Sequence, residues 1–84
     1  MAIDETPVVL IEWQDIVGMG SGWVTHQEIM EAQPATMVTV GWVLRETEDF
    51  LVVGATVEIG GDGQLGDVSV IPKAVVVRRL PLGA

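Results

Sequence analysis

The chain has 84 residues, 49% of them hydrophobic, with twelve acids against four bases for a net charge of −8 and no cysteine. That length gives one domain with about one core. The missing cysteines exclude disulfides, thiolate metal sites and thiol catalysis, and the negative charge disfavours nucleic-acid binding.

The N-terminus, Met1 to Thr6, carries two early acids and no basic stretch, so it does not read as a secretory signal. Pro7 opens a first strand that runs to about Trp13. Gln14 to Val24 reads as a loop, because Gly18, Gly20 and Gly22 support regular structure only at an entropic cost. Thr25 followed by Glu28 matches a capping box, in which hydroxyl and carboxylate satisfy backbone N–H groups reciprocally. A short helix is expected from His26 to Gln33, stopped by Pro34.

Strands follow at Thr36–Glu46, Phe50–Ile59, Val68–Ile71 and Ala74–Leu80. Thr47-Glu48-Asp49 makes a tight turn, and Gly60 to Gly66 makes a hairpin loop whose glycines supply positive φ. Pro72 interrupts the fourth strand, and Pro81 is expected to end the fifth. No apolar run reaches the ~18–20 residues that span a bilayer as a helix. A soluble, cytoplasmic protein is the expectation, consistent with the lack of cysteine.

The strands are apolar on both faces, where a strand with one wet face alternates. A small domain buries only ~60–65% of its unfolded surface. Some second faces therefore need another cover, most simply copies of the same chain, and a homo-oligomer is expected. Five short strands and one helix between strands one and two favour a mainly-β small barrel over an open sheet, since closure removes edges.

Val68 to Leu80, with its Ile71-Pro72-Lys73 passage, resembles the end of SH3-like barrels, where a one-turn 3₁₀ segment precedes a final short strand. The expected fold is thus an SH3-like five-stranded barrel. A wider pattern, Glu12-Trp13-Gln14-Asp15, Gly22-Trp23, Gly41-Trp42, Val70-Ile71-Pro72-Lys73 and Leu80, resembles small proteins encoded by bacteriophages. That resemblance implies a phage accessory protein in the cytoplasm of an infected bacterium. Phage proteins of this size include homo-oligomeric sponges for nucleotide signals of bacterial immunity, protein inhibitors and minor structural parts.

The residues offer one candidate ligand site. Trp13, Asp15 and Trp23 surround flexible glycines, so two rings and a carboxylate are available to clamp a flat molecule. Lys73 on the proline turn, or Arg78, would supply a charge for an anionic group. The alternative is structural: tryptophans as core anchors, Asp15 as a loop cap, and the bases in ion pairs. Trp42 after Gly41 fills the core or a subunit contact.

Nothing resembles an active site. His26 is the only histidine, with Asp15 and Ser21 as its nearest chemical partners, and the surroundings of Ser21 lack a nucleophile-elbow pattern. Asp62-Gly63 and Asp67 lack the further ligands of a calcium loop. Glu46, Glu48 and Asp49 read as a solvated turn. The leading expectation is a non-enzymatic binding protein without cofactor or metal, in its sharpest form a nucleotide sponge. The alternatives are an acidic protein-interaction module that inhibits a host factor and a minor virion or scaffolding component.

Overall fold

The computed structural model describes residues 3–20 and 22–83. After a 3₁₀ turn at Ile3–Glu5, the elements are β1 (Val8–Asp15), α1 (His26–Glu31), β2 (Ala35–Glu46), β3 (Phe50–Val57), β4 (Leu65–Pro72), a 3₁₀ turn at Lys73–Val75 and β5 (Val76–Leu82). The strands form one antiparallel sheet in the order β4-β3-β2-β1-β5. Strand β5 pairs with β1 alone, and no ladder joins it to β4, so these two strands are the sheet's edges.

The mainly-β fold, the short helix and the one-turn link before the last strand match the expectations, but the expected closure does not: β4 and β5 remain the edges of one sheet, unpaired with each other. Boundaries differ for local reasons. Helix α1 ends at Glu31 and not Gln33: Ala32 already has extended backbone, with its N–H bonded to the Ile29 carbonyl. Strand β3 stops at Val57 and β4 begins at Leu65, because the pairing ends at Val57–Leu65, so the loop lies at 58–64, two residues earlier than expected. Lys73–Val75 is a 3₁₀ turn, so the last strand starts at Val76. Pro81 does not end it. It lies within β5 opposite Val9, tolerated because β5 is an edge strand with one unpaired side.

Residues opposite each other on a ladder share a face. On the inner face, Val9, Ile11, Leu51, Val53 and Ile71 are buried and form the core. Ile11 and Ile71 lie on strands three places apart in the sheet, so the sheet curls to bring them into one cluster. Trp13, Val43, Val75 and Val76 pack around it. Gly41 makes the curl feasible. A Cβ at this position would run into the carbonyl oxygen of Gly54 and come within 2.9 Å of Val53 Cγ1.

The outer face is also apolar. One row across it is Leu82–Val8–Trp42–Gly54–Val68, and another is Leu80–Leu10–Val40. Beyond the first row lies Arg45–Val52–Val70, and beyond the second lies Arg78–Glu12–Val38.

Strand β3 pairs with β2 only from Trp42 onward, and β5 leaves β1 at Trp13. The far ends of β1 and β2, with α1 between them, therefore project from the sheet. The radius of gyration is 16.6 Å and the long axis 53 Å. A compact chain of this length would have a radius near ~12 Å. The molecule is a curled sheet with an arm.

Candidate functional site

The root of the arm encloses an open cleft of about 490 Å³. Gln14 and Asp15 come from the end of β1. Ile16, Val17 and Met19 come from the connection after it. Gln33 and Pro34 follow α1, and Val75 comes from the 3₁₀ turn. The lining is predominantly apolar. Asp15 is partly committed, because its Oδ1 accepts the N–H of Ile16 at 2.8 Å and fixes the chain's exit from β1. Gln14 donates through Nε2 to Thr36 Oγ1 at 3.0 Å, tying the two strand ends together.

Of the residues singled out from sequence, only Asp15 lines this cleft. Trp13 lies on the inner face at the edge of the core, where its indole Nε1–H donates to Thr39 Oγ1 at 2.9 Å. Trp23 stands 92% exposed in the connection. The two rings are thus engaged in different ways, one in packing and the other in solvent. Trp42 is half-buried on the outer face, next to Leu44, whose side chain covers the space above Gly54.

Both candidate bases contact carboxylates. Arg78 Nε lies 3.9 Å from Glu12 Oε2, across the ladder that pairs these residues. Lys73 Nζ lies 2.8 Å from Glu46 Oε2. Arg79 binds the same carboxylate through both ends of its fork, at 3.0 and 3.1 Å. The hydrogen bonds from Arg79 and then Lys73 hold Glu46 well below its ordinary 4.5, at about 2. This clamp fastens the 3₁₀ turn and β5 to the end of β2. Glu46 was read from sequence as part of a solvated turn; it is instead the hub of the chain's one three-membered ionic cluster among the described residues.

The remaining candidates have local roles. Thr25 Oγ1 accepts the N–H of Glu28 at 3.1 Å, which is half of the expected capping box. Asp67 Oδ2 accepts from Thr56 Oγ1 at 2.9 Å across the β3–β4 ladder. Ser21 lies outside the described residues. Among the described residues, no three His, Asp or Glu side chains are grouped to hold a metal ion, and no helix is long and apolar enough to cross a membrane.

What sequence reasoning missed was the cleft. The available signal was a set of large apolar residues, Ile16, Val17 and Met19, in a glycine-rich connection where solvated loops are usually polar. Comparison with known protein families, curated proteins and solved structures gives no match.

Proposed function

We propose that this protein is a non-enzymatic binding protein of the phage accessory type, built as a small SH3-like barrel, whose arm and cleft engage a protein partner. The barrel reading draws on the curl that unites Ile11 with Ile71. It also draws on the Lys73 N–H bond to the Asp49 carbonyl at 2.8 Å, which pins the 3₁₀ turn beside the β2–β3 turn.

One observation carries the functional reading. Large apolar side chains crowd the arm with little cover from their own chain: Ile16 is 93% exposed, Trp23 92% and Met30 71%. Solvated surfaces scatter such residues singly, whereas clustered ones mark interaction sites. Trp is enriched among the anchors of protein interfaces. The surrounding charge selects the partner, since Asp15, Glu28 and Glu31 lie on or beside the arm and no base lines the cleft. The occupant that fits is an apolar anchor flanked by basic residues, as in the inhibition of a host factor.

A second reading, capture of a nucleotide-derived signal, is favoured by the cleft's volume, which lies within the ~300–1,000 Å³ of small-molecule sites. An anionic ligand there would have to draw Lys73 away from Glu46.

Calorimetric titration separates these readings. One panel holds peptides with a single aromatic or aliphatic residue between lysines. The other holds cyclic dinucleotides and ADP-ribose derivatives. Micromolar binding to the peptides, abolished by Trp23→Ala and Val17→Asp, is the expected result. Binding confined to nucleotides and weakened by Lys73→Ala would replace it with the sponge reading, and binding to neither panel would remove both.

A further inference from the structure

We infer that the outer face of the sheet is a self-complementary surface on which a second copy of this chain packs, with a two-fold axis running across the strands. This inference concerns the face opposite the core and does not depend on the cleft.

The face has the anatomy of an interface. One central row is apolar from edge to edge and the other is apolar across β5, β1 and β2, yet Val40 is 47% and Val68 46% exposed, and Val70 beside them is 63% exposed. Across β5, β1 and β2 the charges on this face lie in the rows at either end, and Asp67, at the far end of β4, is held by Thr56 Oγ1. One end row holds Arg45. The other holds Glu12 and Arg78. A chain of charge −8 repels its copies over most of its surface. The central rows over β5, β1 and β2 are where two copies meet without apposing carboxylates.

The end rows decide the orientation. Arg45 is the one Lys or Arg among the described residues without a carboxylate partner. Its guanidinium rests 5.4 Å from the centre of the Phe50 ring, and Phe50 belongs to the same face. Glu12 reaches its own Arg78 only at 3.9 Å, leaving capacity to accept. A two-fold axis parallel to the strands would set Arg45 against Arg45. An axis across the strands reverses the order of the rows. It lays β2 antiparallel over β2 of the partner subunit and brings Arg45 over the row that holds Glu12 of the partner subunit. Both ends of the interface are then complementary, and both central rows are covered.

The size of the face sets the strength. It supplies roughly half of the 20–30 residues that a standard interface uses on each side. The association is therefore concentration-dependent, with dissociation in the micromolar range.

The test is sedimentation equilibrium of the full chain from low micromolar to half-millimolar concentration, with circular dichroism confirming that each variant is folded. The expected result is a monomer–dimer equilibrium. Val40→Lys and Val70→Lys, at positions already exposed, weaken it by about ten-fold or more. Arg45→Glu weakens it by about three-fold. Adding Glu12→Arg to Arg45→Glu restores it, whereas adding Asp62→Arg, which restores the same net charge from the hairpin tip, does not. A wild-type chain that stays monomeric throughout, a folded Val40→Lys variant that dimerises like wild type, or equal rescue by Glu12→Arg and Asp62→Arg would each overturn the proposal.

Discussion

Gly41 is a position where no side chain fits. Its Cβ would meet the backbone of Gly54 on the neighbouring strand, and backbone cannot swing aside as a side chain does. Gly41→Ala removes backbone freedom from the unfolded chain, a gain of about 0.4–1 kcal/mol where the native site tolerates it. Here the clash dominates. A net destabilisation within the ~1–3 kcal/mol typical of overpacking is expected, read as a lower urea midpoint. Glu46 makes a different prediction. Its folded-state pKa of about 2 lies below the ordinary 4.5, so the folded chain binds this proton less readily than the unfolded chain. The clamp's contribution is complete above the ordinary value and declines as pH falls toward about 2. Urea unfolding of wild type and Glu46→Gln should differ most at neutral pH, and the difference should shrink across that acid window. A difference independent of pH there would mean that the carboxylate's charge is not what holds the turn and β5.

At the scale of elements, α1 is the least anchored. It has six residues, none buried, and the one side-chain bond at its start is donated by the Glu28 N–H to Thr25 Oγ1. Losing an N-cap costs a helix ~0.5–2 kcal/mol. Because α1 buries nothing, that cost falls on local opening and leaves global unfolding nearly unchanged. Thr25→Ala should speed amide exchange through residues 26–31 while leaving the urea midpoint in place. A matching loss of global stability would show that α1 belongs to the cooperative unit.

The elements were largely legible because each one carries its own local signal: β-branched runs for the strands, Thr25 and Pro34 around the helix, and glycines at the hairpin. Pro81 misled because the tolerance of proline depends on whether a strand is at an edge, which is a property of the sheet and not of the residue. The site was less legible for a related reason. Trp13 meets Thr39 and Arg79 meets Glu46 across 26 and 33 residues, contacts that only register and curl create. Spacing in the sequence placed Trp13, Asp15 and Trp23 together, but Trp13 is held at the core edge by Thr39, Asp15 caps the exit of the chain at Ile16, and Trp23 stands exposed in the connection beyond.

For the whole molecule, apolar surface is divided among three places: an inner core, an outer face and an arm. The core holds the fold, and the other two leave the chain with more apolar surface than a solitary domain normally shows. The sheet order carries a consequence of its own. Strand β1 is held by ladders to both β2 and β5, and it contributes Val9 and Ile11 to the core. Yet its only covalent continuation into the other strands is the long connection to β2, in which Gly20 and Gly22 both take positive φ. Cutting that connection separates a segment of about a quarter of the chain from the rest without breaking a ladder. A protease that nicks residues 18–22 should leave one species on a sizing column under native conditions, resolving into two peptides only in denaturant. If the pieces part without denaturant, the ladders of β1 are weaker than their extent implies. If they stay together, the first segment and the remainder can be made as separate peptides, and their reassembly becomes a signal that reports when two fused partners meet.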